Sequence, residues 1–233
     1  MRNLNTLTIY VEGGNRNSRA SRLACQGAFK KLLERAGLPP GNFRIEACGG
    51  RQQAYEDFCF ALKNGENVLL LVDSEDPVAT DAGSGRPVAA WQHLTERATD
   101  TLVRPVTATD AQAQLMVPTM EAWLLADQAQ LGAYYRGMHG RGAFNEAALP
   151  GRADVEQLRK ADINRVLENA TRSNKTKGIY HKGNHSFEIL QTLHPQEIAQ
   201  RSYHFRRLLC HLGKVLKATI AWLNCTDFEK HTD

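Results

Sequence analysis

The sequence predicts an α/β fold, in which helices flank a parallel β-sheet and a mostly helical segment follows at the C-terminus. An uninterrupted apolar run at residues 68–72 leads directly into acidic residues, which is typical of a central strand buried on both faces. The elements before it alternate between strand and helix, an order that gives parallel strands joined by right-handed crossovers. Apolar residues then recur at helical spacing from Phe205 to Leu223, which predicts the C-terminal helical extension.

The first strand is predicted at residues 4–11, where β-forming residues end at a Glu-Gly-Gly turn. Asn17 or Ser18 can cap the helix that follows, and this helix reaches about Ala36. Its apolar face is predicted to contain Leu23, Phe29, Leu32 and Leu33. Alternating strands and helices are then predicted at residues 43–47, 52–63, 68–72, 91–101, 112–117 and from position 120 onward.

The composition predicts one large domain, or one domain with an appendage. The 233 residues are 42% hydrophobic, which is enough for a sizeable core. No segment approaches the roughly 20 apolar residues that a membrane helix needs, and the apolar run at the N-terminus is too short for a signal peptide. The cysteines form no Cys-x-x-Cys pair, so we expect reduced thiols in a cytoplasmic protein. They are Cys25, Cys48, Cys59, Cys210 and Cys225.

We divide the chain into an α/β catalytic core at residues 1–130 and a mostly helical, basic cap at residues 131–233. The cap contains a Gly-rich stretch, an amphipathic helix at residues 154–170 and a helix that starts at Pro195. Between positions 172 and 217, nine residues are basic and two are acidic. This excess indicates a phosphate-rich partner, either DNA or RNA, while the alternative is a solvated basic surface.

Acidic residues follow two of the predicted strands. Glu12 follows the first strand, and Asp73, Glu75 and Asp76 follow the third. Carboxylates packed this closely repel one another unless a cation lies between them, and oxygen ligands suit Mg²⁺ or Mn²⁺. We therefore predict a divalent metal site from these four residues, at the sheet edge where ligands bind in open α/β folds.

Further candidate residues lie outside these two motifs. Glu121 is either an ordinary acidic residue of a first helical turn or an additional ligand or general base. Lys177 and Lys182 lie in a segment interrupted by glycines, where a lysine can stabilise phosphate charge. The Gly-Gly-Arg turn that ends at Arg51 either holds a phosphate or only connects a strand to a helix. The predicted nucleic-acid contacts are Arg51, Arg172, Lys175, Lys177, Lys182, Arg206 and Arg207.

The two strand ends resemble a known catalytic fold. Residues 9–14 and 71–76 are similar to the toprim domain of topoisomerases, bacterial primases and overcoming-lysogenization-defect nucleases. That domain uses a glutamate after its first strand and an Asp-x-Asp pair after its third. The resemblance implies catalytic and metal-binding roles for Glu12 and Asp73. Glu75 stands where the second aspartate is expected, and Asp76 is the alternative.

The resemblance narrows to a bacterial family catalogued as domain of unknown function 4276. It rests on residues 47–51, 70–77, 116–127 and 176–183, which occur in this order along almost the whole chain. It implies a toprim-like (Rossmann-like) nuclease, often paired with an ATPase of the ABC or SMC type in bacterial defence against phage. We therefore predict a Mg-dependent nuclease. The alternative is a non-catalytic assembly or regulatory subunit that docks on such an ATPase.

Overall fold

The computed structural model describes residues 6–100, 102–140, 142–151 and 154–228, and it confirms the predicted α/β class. Four parallel strands in the described residues lie in the order β2-β1-β3-β4. The strands are β1 (Leu7–Val11), β2 (Phe43–Ala47), β3 (Val68–Asp73) and β4 (Ala113–Met116). The described helices are α1 (Arg19–Arg35), α2 (Arg51–Lys63), α3 (Ala90–Glu96), α4 (Met120–Ala126), α5 (Gln128–Arg136), α6 (Lys160–Thr171), α7 (Lys182–Leu190), α8 (Pro195–Arg201) and α9 (Tyr203–Leu216).

Alternate strand residues fill two cores on the two faces of the sheet. One core contains Ile9 and Leu71 together with apolar residues of α1 and of the C-terminal helices. The other contains Tyr10 and Leu70 together with residues of α2 and α3. All residues of β1, β3 and β4 are buried, which explains why the β3 sequence is continuously apolar rather than alternating. This first core contains residues of both the predicted catalytic core (1–130) and the predicted cap (131–233).

The strands lie close to their predicted positions. The bounds of β2 are those predicted, β3 gains Asp73 at its end, and β4 is one residue shorter at each end. The first strand begins at Leu7, and positions 4 and 5 of the predicted strand lie outside the described residues. The hydrophobic pattern therefore located every described strand.

The first helix follows its prediction with one error. The hydroxyl of Ser18 caps the helix by accepting a hydrogen bond from the Ser21 amide at 3.3 Å. Phe29 and Leu32 are buried as predicted, but Leu23 is 55% exposed. Nine residues, or two and a half helical turns, separate Leu23 from Leu32. The two side chains therefore point to opposite sides of the helix.

Three other helices are shorter than predicted. The end of α3 comes five residues early because Arg97 is extended, and the last predicted position, 101, lies outside the described residues. A separate 3₁₀ turn occupies residues 155–157, so α6 begins only at Lys160. The last helix, α9, ends at Leu216 because Lys217 is left-handed, with φ 51°. No helix that the structure describes combines the length and the apolar character that crossing a bilayer requires.

The expectation of reduced cysteines is wrong for one pair. Cys210 and Cys225 form a disulfide, with their Cα atoms 5.6 Å apart. Lys217 lies between them and ends α9, after which the chain turns back toward the helix. The sequence did not reveal this pairing because the chain reversal, not a short Cys spacing, brings the two residues together. Cys25, Cys48 and Cys59 are free thiols.

Candidate metal centre

The carboxyl ends of β1 and β3 bring three acidic side chains together. The two strands are adjacent and parallel, with Val11 opposite Leu71, so the residues that follow them leave the sheet at the same edge. Ligand atoms of Glu12, Asp73 and Glu75 all lie within 4.8 Å of one another. Three of the four residues predicted for the metal site therefore meet.

Glu12 is held by donors from two neighbouring elements. Its Oε2 accepts hydrogen bonds from the Asp73 amide at 3.0 Å and from Arg51 Nε at 3.2 Å. Directly after it, Gly13 and Gly49 exchange two backbone hydrogen bonds of 2.9 Å. Gly49 has φ +84° there, a conformation that favours glycine. Burial raises the pKa of Glu12, and the Arg51 charge opposes this shift.

Asp73 is the most deeply buried of the three carboxylates. It is 4% exposed, and its Oδ1 accepts a hydrogen bond from the Met120 amide at 2.9 Å. Burial raises the pKa of Asp73 well above its usual range, and the carboxylates of Glu12 and Glu121 raise it further. The ionised form of Asp73 therefore requires positive charge close by.

Glu75 reaches the cluster from a loop with an unusual backbone conformation. Its φ is 70°, in the left-handed region that residues with a side chain rarely adopt. Its amide donates a 2.7 Å hydrogen bond to the carbonyl of Pro118, which holds the loop against the segment after β4. Its carboxylate lies between Arg51 Nη2, at 2.8 Å, and the ammonium of Lys160. Backbone strain of this kind is concentrated at functional sites.

Asp76 points away from this cluster. Its side chain is 72% exposed and pairs with Arg97 at 2.5 Å. Arg97 also donates to the carbonyl of Ser74 at 2.8 Å and pairs with Asp100 at 3.0 Å. Within the part of the chain that the structure describes, the close carboxylate group includes Glu75 and leaves out Asp76. The geometry thus favours Glu75 as the third carboxylate.

Arg51 is a counter-charge inside the cluster. Its side chain is 9% exposed and lies 3.2 Å from Glu12 and 2.8 Å from Glu75, and it also pairs with Asp100. Burial lowers the pKa of Arg51, but the neighbouring carboxylates, Glu12 foremost, together raise it by more, so the net shift is upward. The Gly-Gly-Arg turn connects β2 to α2 and places the guanidinium against carboxylates, where it neutralises part of their charge.

Lys182 and Glu121 extend the cluster on its other side. Glu121 is 1% exposed, and its Oε1 accepts a hydrogen bond from the Tyr180 hydroxyl at 3.5 Å. Lys182 is the first residue of α7, and its Nζ lies 3.3 Å from Glu121 Oε2 and 3.9 Å from Asp73 Oδ2. Burial lowers the pKa of Lys182, but the neighbouring carboxylates, Glu121 foremost, together raise it by more, so the amine is protonated at neutral pH.

Three of the carboxylates and Lys182 line an open cleft of about 300 Å³, which we call the carboxylate cleft. Glu75 is not among its described lining residues. A buried glutamate that faces a lysine across such a cleft is not explained by helix stabilisation alone, since charged side chains are almost never buried without a pairing reason. The geometry therefore supports a role for Glu121 beyond the helix. The lining includes Glu12, Gly13, Gly14, Gly49, Asp73, Glu121 and Lys182.

The predicted basic residues at 172–182 precede α7 in sequence or begin it, and they differ in their contacts. Lys182 reaches the carboxylates, whereas the ammonium of Lys177 lies 3.8 Å from the ring centroid of Tyr134. Arg172 and Lys175 are exposed. This segment therefore presents positive charge to solvent on the approach to α7.

The two predicted arginines of α9 lie elsewhere. Arg206 donates a 2.7 Å hydrogen bond to the carbonyl of Ala199. Arg207 donates to the carbonyl of Ala113 and to Oε1 of Gln114, both at 3.2 Å, and so fixes α9 to β4. Burial lowers the pKa of Arg207. The predicted nucleic-acid residues thus do not form one continuous group.

Sequence reasoning missed four residues around the cluster. Lys160 and Tyr180 contact the carboxylates of Glu75 and Glu121, Asp100 pairs with Arg51, and Arg97 pairs with Asp76 and Asp100. Tyr180 belongs to the segment 176–183 that carried the family resemblance, so its neighbourhood was already identified. The positions of the other three depend on tertiary packing, and no local pattern marks them. The four residues are Arg97, Asp100, Lys160 and Tyr180.

Comparison with known proteins yields a family but no characterised relative. No curated protein and no solved structure matches the chain. The family described as Domain of unknown function (DUF4276) matches residues 10–213, a span that includes both strand ends, Glu121 and Lys182. The chain therefore belongs to this family.

Proposed function

We propose that the protein is a divalent-metal-dependent nuclease, with a toprim-like use of Glu12, Asp73 and Glu75. The observation that carries the proposal is the convergence of these carboxylates within 4.8 Å at the carboxyl ends of β1 and β3. In open α/β sheets this edge is where ligands bind. A nuclease fits because phosphodiester cleavage needs positive charge around the phosphate, and a metal ion held by these carboxylates would supply that charge.

The donor set fits Mg²⁺ or Mn²⁺. Three carboxylates offer only oxygen ligands, which these ions prefer, and the open cleft leaves room for water and for a phosphate oxygen. Glu12, Asp73 and Glu75 would hold the ion. When bound, a divalent cation supplies charge neutralisation at the phosphate and acidifies water.

The protein's own groups supply further charge and orientation. The Lys182 ammonium lies between Asp73 and Glu121, where it can donate to a phosphate oxygen and stabilise the charge that develops there. The hydrogen bond from Tyr180 orients the Glu121 carboxylate, which is placed to accept a proton from water. The Arg51 guanidinium neutralises part of the negative charge of Glu12 and Glu75.

The proposed substrate is a nucleic acid, and Arg172, Lys175 and Lys177, in the segment that leads into α7, are the proposed contacts to its phosphates. Two of these residues are exposed, and the third, Lys177, packs over an aromatic ring. Contacts from lysine and arginine to phosphate are independent of sequence and weaken with salt. We therefore expect cleavage of DNA or RNA to slow as the ionic strength rises.

Metal titration followed by a cleavage assay tests the proposal. Mg²⁺ or Mn²⁺ is expected to raise the melting temperature, because an ion that binds only the folded state stabilises it by about 2.7 kcal/mol at 100 times its Kd. Asp73→Asn keeps the shape of the side chain and should lose both this shift and cleavage. Glu56→Gln, an exposed position on α2, is the matched control. Wild-type cleavage by folded Asp73→Asn would refute the nuclease.

The ABC/SMC-type ATPase partner, the defence role and the cytoplasmic location stay predictions. Co-purification with the product of the neighbouring gene tests the first of these. A stable complex whose activity is unchanged by Asp73→Asn would favour the non-catalytic assembly subunit. A complex that cleaves nucleic acid only with intact Asp73 supports the nuclease.

A further inference from the structure

Three helices begin at the acidic residues of the site, and each of them begins with a cation. Arg51, Lys160 and Lys182 are the first residues of α2, α6 and α7. A cation in the first turn is unfavourable for a helix, because the helix dipole is positive there. Arg51 and Lys160 both pair with Glu75, and Lys182 pairs with Glu121. The site, rather than helix stability, therefore accounts for the positions of these cations.

Lys160 has the fewest ion-pair partners of the three. The Arg51 side chain is 9% exposed and pairs with three carboxylates, and Lys182 pairs with two. The Lys160 side chain is 38% exposed, and Glu75 is its one ion-pair partner among the described residues. Glu75 also pairs with Arg51 at 2.8 Å. The lysine therefore depends on this carboxylate more than the carboxylate depends on the lysine.

A divalent ion ligated by Glu75 would compete with Lys160 for the same carboxylate. The attraction within an ion pair falls when the charge of one partner is neutralised. The ammonium would then lie at the start of α6, where the helix dipole favours an anion. Its flexible stem and three N–H donors suit a phosphate oxygen. The Glu75 ligand atom lies within 4.8 Å of those of Glu12 and Asp73, so a phosphate held at this group lies close to Lys160.

We propose that Lys160 is a substrate-binding residue with two alternative partners. It pairs with Glu75 in the metal-free protein, and it binds a phosphate of the nucleic acid once Glu75 ligates the ion. This inference rests on the proposed nuclease function and adds a residue to it. Lys160 thereby couples the two binding events, since each of them makes the other more favourable.

Oligonucleotide binding with and without metal tests this role. Stopped-flow anisotropy of a labelled DNA or RNA oligonucleotide, read before cleavage occurs, gives the affinity in EDTA and in saturating Mn²⁺ at low salt. Lys160→Met should weaken binding by about tenfold in Mn²⁺ and by less than about twofold in EDTA. A purely structural role would weaken binding equally in both buffers. Arg159→Met, which removes an exposed charge from the adjacent position, should change neither affinity by more than about twofold.

The affinity for metal alone is the second measurement. Calorimetric titration with Mn²⁺ should show binding about threefold tighter in Lys160→Met than in wild type, because the ion no longer competes with the lysine. In a Glu75→Gln background, Lys160→Met should leave the Mn²⁺ affinity unchanged, because the shared carboxylate is gone. Tighter metal binding together with weaker substrate binding is a combination that general damage to the site would not produce.

Melting curves establish that each variant is folded, and Lys160→Gln replaces Lys160→Met if the latter is not. The inference is overturned if the folded variant binds the oligonucleotide in Mn²⁺ as wild type does, loses the same affinity in EDTA, or binds Mn²⁺ more weakly. If these results accompany normal cleavage by wild type, the nuclease proposal stands. If the expected effects appear but wild type does not cleave, only the nuclease proposal fails. A wild type that binds no metal refutes both.

Discussion

The carboxylate cleft and the cavity between α9, the start of β4 and residues 218–228 contain an excess of opposite charges. In the cleft, Glu12, Asp73 and Glu121 outnumber the single lysine among the lining residues that the structure describes. Among the described residues that line the cavity, Arg207, Lys214 and Lys217 outnumber Asp227. The proposed metal centre thus belongs to the region with an excess of carboxylates.

The comparison shows how tertiary structure divides a charge pattern that is continuous in sequence. The basic stretch at residues 172–217 predicts a single phosphate-binding surface. Lys182 begins α7 and reaches the carboxylate cleft, whereas Arg207 belongs to α9 and bonds to the start of β4. Positive charge from one sequence segment therefore lies in two separate parts of the fold.

Removing the Asp73 charge should have the largest effect in the cleft. We expect Asp73→Asn to reduce cleavage on the order of 10³-fold, as when a group that stabilises a transition state is lost. Because the folded-state pKa of Asp73 is raised, ionisation costs stability as pH rises above its ordinary value. The metal-free variant should therefore be more stable than metal-free wild type at neutral pH.

Thermal melts in EDTA at pH 5 and pH 7.5, together with a cleavage assay, measure both parts of this prediction. The control Glu56→Gln should change neither the melting temperature in EDTA nor the cleavage rate. An Asp73→Asn protein that is less stable without metal at neutral pH would show that the carboxylate is stabilised in the folded state, contrary to the expected sign.

The ionisation of His211 should make the stability of the protein depend on pH in the direction opposite to that expected for Asp73. The pKa of His211 falls from 6.5 to about 4 on folding, so the unfolded chain binds a proton more readily. The stability that this difference contributes is present above about pH 6.5 and is lost as pH falls toward 4, by about 3 kcal/mol at most. Denaturant melts of His211→Gln between pH 4 and 7 should show a flatter profile than wild type. An identical profile would exclude His211 as the source.

The sequence predicted that Glu12 and Asp73 lie at the same edge of the sheet, because strand formation depends on local sequence. A continuous apolar run specifies a buried parallel strand, and parallel neighbours end at one edge, which is enough to place Glu12 beside Asp73. Contacts that depend on helix packing were not predictable in this way. Lys160 meets Glu75 across 85 residues, and Asp100 meets Arg51 across 49.

The same reason explains the disulfide and the division of the basic residues. Cys225 returns to Cys210 only because Lys217 ends α9 in a left-handed conformation, and a lysine at that position has no sequence signature for a chain reversal. Arg207 is held by the edge of β4, a neighbour that the helical period of α9 does not specify. The periodicity of the sequence predicted the helices and strands. The side-chain contacts between them depend on tertiary packing, which periodicity does not specify.

Lys182 tests whether the cleft uses its own cation in addition to a metal. We expect Lys182→Met to reduce kcat by about 100-fold, since a donor to the developing phosphate charge is lost. Metal affinity should rise or stay the same, because the lysine no longer competes for Asp73 and Glu121. Cleavage kinetics and metal titration separate the two effects. Lys30→Met, an exposed position on α1, is the control, and a parallel loss of metal affinity would contradict the expected role.

The smallest effect concerns the choice between Glu75 and Asp76. Glu75 lies in the carboxylate group, whereas Asp76 is exposed and paired with Arg97. We expect Glu75→Gln to weaken metal binding by about tenfold and Asp76→Asn to change it by less than about twofold, since exposed ion pairs contribute little. The two substitutions remove one charge each from adjacent positions, so they control for each other in the same metal titration. A larger loss in Asp76→Asn would mean that the loop rearranges when the ion binds, and the third carboxylate would then be reassigned to Asp76.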